Sequence, residues 1–292
     1  MTNVAILGLG LIGGSIARSL RVSDPDQGRW RISAWTPSGA GPREAMEAGC
    51  VDAAPARIDE AIAGADLVVL AAPPLACEQL VARLGGDLAA ALQPHATVTD
   101  VASTKLALTR AALAAGIRFV GGHPMAGRET SGFGAAIDDL FVDRPWIVTE
   151  AVHGGDGALV EAVALACDAR VVALDAATHD RLVAAISHVP LLVSVALAET
   201  VAGAGDSPDP DWTAASALAA SGWRDTTRLA RGDATMGAEI AASNAASIAA
   251  VLRSYRGRID ALLDVLEAPG GVDVAALRER LQQAKDRLEG RR

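Results

Sequence analysis

The 292-residue sequence predicts an α/β fold in two parts: a doubly wound, mostly parallel sheet over 1–174, then an all-α region over 175–292. Three observations carry this. Short apolar runs alternate with helical patterns through the first part, the rhythm of strand–helix–strand units. The first run leads directly into a glycine-rich turn and an amphipathic stretch. After Leu174 no convincing strand remains, and apolar residues recur at helical spacing.

The first strand is expected at 4–7, four apolar residues. Gly8, Gly10 and Gly13 then fall in the spacing G-x-G-x-x-G, and Ile12, Ile16, Ala17 and Leu20 continue with helical periodicity. Strand, tight turn and helix in that order form the context of a dinucleotide-binding, Rossmann-type fingerprint. Gly8 allows the sharp turn, Gly10 lets backbone approach a pyrophosphate, and Gly13 lets the helix pack on the strand. The N–H groups at the helix start, around Leu11 and Ile12, would hold the phosphate charge. An ordinary glycine-rich turn is the plainer alternative.

Residues 29–35 predict a second strand. An acidic residue beyond it usually grips the ribose hydroxyls of NAD. Here the position holds Thr36, followed by Pro37, Ser38 and Arg43, with no carboxylate between Asp26 and Glu44. Hydroxyls and a guanidinium receive a 2′-phosphate that a carboxylate would repel, so the charge argument favours NADP over NAD. Thr36 and Ser38 also suit a plain turn. A short helix is expected at 43–50 and further strands at 66–72, 96–101, 117–120, 146–149 and 169–174. The run 67–72 has no polar residue, as a strand covered on both faces should. Ligands bind at the carboxyl ends of such strands. That rule gathers the glycine turn, Pro73, Ser103 and His123 on one rim.

Asp175 is a good N-cap for the first helix of the second part, where Pro190 should kink the chain or interrupt its hydrogen bonds. Helices are expected at 212–220, 225–231, 234–266 (capped by Asp233) and 272–292. An alanine-rich helical region of this size has little core of its own, and pairing with a second copy would complete it.

Composition narrows the function. The net charge of −9 argues against a nucleic-acid partner. Three cysteines without C-x-x-C spacing suit a reduced cytosol. No signal segment precedes the first strand, and 189–198 is too short an apolar run to span a bilayer, so a soluble, cytoplasmic protein without a membrane partner is expected. Five histidines show no metal-ligand spacing, and no metal is expected. His123 should stand at a strand end on the nucleotide rim. His188, before Pro190, is equally readable as a satisfied core histidine. Arg224 and Arg228 share a helix face beside Asp225, a pattern that suits either a surface ion-pair face or a carboxylate substrate.

The segments Gly8-Leu-Gly-Leu-Ile-Gly-Gly-Ser15, Asp100-Val-Ala-Ser-Thr-Lys105, Gly121-Gly-His-Pro-Met-Ala-Gly-Arg-Glu-Thr-Ser-Gly132, His179-Asp180, Ser187-His-Val-Pro190 and Arg224-Asp-Thr-Thr-Arg228 occur in this order. Together they resemble the prephenate/arogenate dehydrogenase family of tyrosine biosynthesis. The resemblance runs from the first strand to about Asn244, and the block around His123 is its most specific part. It implies a Rossmann domain at 1–174 and a helical substrate-binding and dimerisation domain at 175–292, forming a homodimer. It also implies NAD(P)-dependent oxidative decarboxylation of a cyclohexadienyl substrate, prephenate to 4-hydroxyphenylpyruvate or arogenate to tyrosine. By the same resemblance His123 takes the proton of the C4 hydroxyl, and Ser103 bonds near that hydroxyl and the nicotinamide. Arg228 binds a substrate carboxylate with Asp225 nearby, Glu129 lies at the pocket mouth, and His188 faces the substrate or supports those that do. One departure stands out: many prephenate-using members read S-H-L-P-H, and this chain has Leu191 in place of the second histidine, which moves the expectation toward arogenate.

Two other readings compete. A β-hydroxyacid dehydrogenase or imine reductase shares the two-domain plan, but its lysine-dependent version is disfavoured because no lysine lies between Asp175 and Arg253. A nucleotide-sensing regulator without chemistry would not need Ser103, His123 and Arg228 together.

Overall fold

The computed structural model describes residues 1–290 except 129 and 206. The chain forms two compact units, Met1–Ala245 and Ala246–Arg292.

In the larger unit, β1 (Thr2–Leu7), β2 (Trp30–Trp35), β3 (Leu67–Leu70), β4 (Thr97–Asp100) and β5 (Phe119–Val120) form a five-stranded sheet in the order β2-β1-β3-β4-β5. Every pairing in it is parallel. Alternate side chains of a strand point to opposite faces, and here both faces are apolar. Val4, Ile6, Leu67 and Val69 enter one core; Ala5, Leu7, Val68 and Leu70 enter the other. Helices α1 (Leu11–Ser23), α2 (Ala40–Glu47), α3 (Ile58–Ile62), α4 (Pro74–Leu84) and α5 (Leu106–Ala115) connect the strands. The fold is therefore the expected doubly wound α/β sheet. Its strand order reverses between β1 and β3, the switch point where such sheets bind ligands.

The strands expected at 146–149 and 169–174 do form, but in a second sheet. β6 (Gly122–Pro124), β7 (Pro145–Val148) and β8 (Arg170–Ala173) pair in the order β6-β7-β8, and β6 runs antiparallel to β7. The chain passes from β5 to β6 through Gly121 alone. A Cβ on Gly122 would lie 2.6 Å from the Asp100 carbonyl oxygen, so this passage under β4 requires glycine. The sequence pattern of short apolar runs is the same for one sheet or two, which is why the division was not foreseen. Helix α6 (Gly157–Ala166) joins β7 to β8.

Asp175 caps α7 (Ala176–Val183) by accepting a hydrogen bond from Thr178 N–H at 2.8 Å. The predicted disturbance before Pro190 is a π-turn, Ala184–His188, followed directly by α8 (Val189–Ala202). Proline has no N–H to donate, and widening the preceding turn accommodates that loss without ending the helix. A two-residue ladder, β9 (Gly203–Ala204) with β10 (Ser207–Pro208), follows where only a loop was expected. Next come α9 (Trp212–Ala217), α10 (Ser221–Thr226), a 3₁₀ turn (Leu229–Arg231) and α11 (Ala234–Ser243), capped by Asp233. The helix expected across 225–231 is thus α10 plus the 3₁₀ turn. The helix expected across 234–266 is broken at Asn244, whose side chain is used elsewhere.

The smaller unit is built from α12 (Ala245–Leu266) and α13 (Val274–Leu288). Asp273 caps α13, and the Arg280 guanidinium donates to the carbonyls of Ala261 and Arg258 on α12.

Candidate active site

Gly8 and Gly13 form the sharp turn and the close helix packing that their spacing predicts. Gly8 has φ +106°, and a Cβ there would lie 2.3 Å from the Ala71 carbonyl oxygen at the end of β3. A Cβ on Gly13 would lie 2.1 Å from the Gly8 carbonyl oxygen, so helix and turn pack backbone to backbone. Around Gly10, by contrast, the Cβ direction is open space. Gly10 is the N-cap of α1, with no side-chain cap and no acidic residue in the first turn. The N–H groups at Leu11 and Ile12 therefore start a helix at the switch point, the arrangement that accepts a phosphate group. These residues fit a dinucleotide.

At the end of β2, Thr36 Oγ accepts from Gly39 N–H at 3.1 Å, and Ser38 Oγ from Ala40 N–H at 3.4 Å. Both are turn formers here, and both keep a hydroxyl proton to donate. The Arg43 guanidinium lies 2.8 Å from where a Gly39 Cβ would stand, so Thr36, Ser38 and Arg43 share one small exposed corner. Pro73 is the N-cap of α4, directly after the Ala71–Ala72 backbone that lies against Gly8.

The second group is centred on Asp100, fully buried at the end of β4. Its carboxylate accepts from Ala102 N–H at 2.9 Å, from Gly122 N–H at 3.2 Å and from the buried Lys105 ammonium. Ala102 precedes Ser103 and Gly122 precedes His123, so one carboxylate fixes the backbone before both predicted catalytic residues. Ser103 is half-buried in the loop leading to α5. Burial pushes the Asp100 carboxyl up, against the opposing pull of Lys105.

His123 was expected at the end of a strand of the nucleotide-binding sheet; it lies instead inside β6 of the second sheet, opposite Ile147, because the chain re-enters a strand directly after Gly121. His123 is 8% exposed. Burial holds its pKa well below the ordinary histidine range; the nearby positive charge of Lys105, and of His179 and His188 when protonated, acts in the same direction. His123 Nδ1 meets His179 Nε2 at 2.8 Å, and His179 Nδ1 meets Asp180 Oδ1 at 2.8 Å. Asp180 also accepts from Lys105 N–H at 2.8 Å and Leu106 N–H at 2.9 Å, capping α5 from α7. Burial alone would raise the Asp180 pKa, but the His179 ring and these backbone donors bring it below the usual carboxylate range.

His188 is buried at the end of the π-turn. Asn244 Nδ2 reaches the Asp180 carbonyl at 2.7 Å and His188 Nδ1 at 3.3 Å. Burial lowers the His188 pKa to about 4; Asp180 opposes the shift and His179 adds to it. Thr104 Oγ1 donates to Ser243 Oγ at 3.0 Å and ties the Ser103 loop to α11. The His123, Ser103 and His188 segments are thus brought together. Arg228 and Asp225 are exposed on the α10–3₁₀ segment, and Asp225 makes no hydrogen bond to the histidine cluster. Glu129 lies outside the described residues. Sequence reasoning gave no role to Asp100, Lys105, His179, Asp180 or Asn244. The signal for them was chemical: charged or polar residues in otherwise apolar stretches, which must find partners when buried. Among the described residues no cluster of three or more His, Cys, Asp or Glu could hold a metal.

A parallel sheet with a dinucleotide turn at its switch point, and a buried imidazole in a strand tied to Asp100 at the carboxyl end of β4, defines a nucleotide-dependent oxidoreductase. Comparison with known proteins makes this specific. The family model described as prephenate dehydrogenase, nucleotide-binding domain, matches residues 16–173, and that described as prephenate dehydrogenase, dimerization domain, matches 175–283. The chain belongs to the prephenate dehydrogenase family. It is 29% identical over 269 residues to a prephenate dehydrogenase of Lactococcus lactis subsp. cremoris, covering 89% of this chain and 70% of that one. Its structure resembles Synechocystis arogenate dehydrogenase at 29% identity and a TM-score of 0.81, over 99% of both chains. It also resembles prephenate dehydrogenase from A. aeolicus in complex with hydroxyphenyl propionate and NAD+, at 26% identity and a TM-score of 0.84, over 99% of this chain and 98% of that one.

Proposed function

We propose that the chain catalyses oxidative decarboxylation of a cyclohexadienyl acid, prephenate or arogenate, with His123 as the proton acceptor. The observation that carries this reading is the state of His123: buried, with its pKa held well below the ordinary histidine range, in a strand whose Gly122 N–H is bonded to Asp100 at the end of β4. A general base must hold a lone pair at working pH, and a depressed pKa supplies it. When bound, the nicotinamide of NAD(P) serves as the two-electron acceptor for the C4 hydrogen. His123 Nε2 takes the C4 hydroxyl proton as the carbonyl forms. The bond from the ring to its carboxylate then breaks, CO2 leaves, and the electron pair makes the ring aromatic. His123 returns its proton to the resulting phenolate oxygen, so no net proton is consumed.

Gly8, Gly10, Leu11, Ile12, Gly13 and Pro73 would hold the dinucleotide, and Ser103 would bond near the reacting hydroxyl. Thr36, Ser38 and Arg43 favour NADP, since three donors and no carboxylate occupy that corner. Arg228 would bind a substrate carboxylate, with Asp225 beside it and His188 supporting them. Leu191 lies 3.4 Å from where a Gly237 Cβ would stand and offers no donor, which favours arogenate. The helices after Asp175 are the substrate-binding and dimer-forming part of a homodimer. The run Ala176–Ala202 is long and apolar enough to cross a membrane. It carries hydrogen-bonded His179, Asp180 and His188, however, and we assign its exposed Leu182 and Ile186 to a second copy of the chain. Three free, buried cysteines suit the cytoplasm.

The test is the near-ultraviolet absorbance of reduced nicotinamide in four mixtures, prephenate or arogenate with NAD or NADP. Arogenate with NADP should respond most strongly. Silence in all four would reject the assignment.

A further inference from the structure

We propose that His179 and Asp180 are positioning residues that hold His123 as its Nδ1–H tautomer, leaving Nε2 as the basic nitrogen. The argument follows the protons. Asp180 already accepts from two backbone N–H groups of α5, at 2.8 and 2.9 Å, so its ionised carboxylate is an acceptor toward every neighbour. It must therefore receive the proton of His179 Nδ1 at 2.8 Å. With that proton the only one on the His179 ring, its Nε2 presents a lone pair. The neighbouring His123 Nδ1, at 2.8 Å, must then donate to it. The lone pair of His123 is left on Nε2, away from His179.

The rings meet edge to face, with centroids 5.1 Å apart and planes inclined by 76°. His179 is fully buried and Asp180 nearly so, so water does not compete for these bonds. Among the described residues, the charged and titratable groups around His123 are Lys105 and Asp100 on the β4–α5 segment, His179 and Asp180 on α7, and His188 on the π-turn. Lys105 is already engaged by Asp100. Asp180 is thus the carboxylate that reaches the ring through hydrogen bonds. When His123 takes a proton, the charge is spread along this chain toward Asp180.

The catalytic consequence rests on the proposed reaction, but the tautomer does not. The experiment combines nitrogen-15 NMR of histidine-labelled protein with steady-state kinetics. The chain has five histidines, so the ring signals can be resolved, and His123→Asn identifies the one in question. In the unsubstituted protein at neutral pH, His123 should show a protonated Nδ1 and an unprotonated Nε2. In His179→Phe the acceptor is gone, the signal should shift toward the Nε2–H form, and kcat should fall on the order of 100-fold. KM for the ring substrate should change little. His179→Gln keeps an acceptor oxygen, so it should retain the Nδ1–H form and recover most of kcat, and it serves as the second variant if His179→Phe does not fold. An Nε2–H or doubly protonated His123 in the unsubstituted protein would overturn the proposal. So would a folded His179→Phe variant with unchanged tautomer and kcat, or a folded His179→Gln variant that loses the Nδ1–H form. If the unsubstituted protein turns over neither prephenate nor arogenate, the proposed reaction fails, and the ring spectra alone decide the tautomer.

Discussion

Replacing His123 with Asn removes the proposed base while keeping a polar group of smaller size. kcat should fall by about 10²–10⁴-fold with dinucleotide affinity unchanged, as measured by turnover and by titration of cofactor. Arg228→Ala should instead raise KM about 10–100-fold, the equivalent of one charge-assisted contact. Lys105→Met would leave the Asp100 carboxylate buried with only two backbone donors, and chemical denaturation should show a loss of about 3–5 kcal/mol. The buried histidines also set a pH dependence. The folded-state pKa of His188 is about 4, against 6.5 for a free ring. Above 6.5 both states are neutral and the group contributes nothing to the slope. As pH falls from 6.5 toward 4 the unfolded chain gains a proton that the folded one does not, so stability drops, by ~3 kcal/mol at most for this ring. His123 acts in the same direction. Urea unfolding at a series of pH values should show this slope, and His188→Gln should flatten it. At this scale motif spacing singled out His123, His188 and Ser103, and the structure brings their segments together. Their partners were not legible, because Asn244 meets Asp180 across 64 residues and spacing does not encode such a contact.

Among the elements, those with strong local chemistry were legible. Asp175 and Asp233 read as caps and are caps, with 2.8 Å bonds to Thr178 and Met236. Asp175→Ala should cost about 1 kcal/mol in thermal or chemical unfolding. The glycine turn is a stronger case. Gly13→Ala must push its methyl into the Gly8 carbonyl, and should destabilise by ~1–3 kcal/mol while weakening dinucleotide binding. Elements shaped by long-range packing were harder to read. Pro190 announced a disturbance but not its form, since a kink, a break and a π-turn all answer a missing N–H. The helix break at Asn244 depends on buried acceptors carried by a different helix. The step from β5 to β6 carries no turn signal beyond Gly121-Gly122, so one sheet and two look alike in sequence.

For the whole molecule, the prediction concerns assembly. Light scattering coupled to gel filtration should give about twice the chain mass of 29.7 kDa. Ile186→Asp, on the exposed side of the π-turn, should shift the protein toward monomer without disturbing the buried histidines beside it. The division into a nucleotide-binding part and a helical part was legible because parallel sheets and helical regions have different hydrophobic periods. The reach of the contacts between α5, α7 and α11 was not. The Asp100 tie has a practical corollary. One side chain fastens the backbone ahead of both Ser103 and His123, so the two residues of the proposed oxidising machinery are held as a single cassette. On that proposal, an engineer seeking a new ring acid would vary Leu191 and the Arg228 segment while leaving the cassette whole; transplanting Ser103 or His123 separately into another scaffold would discard the anchor that keeps them in register.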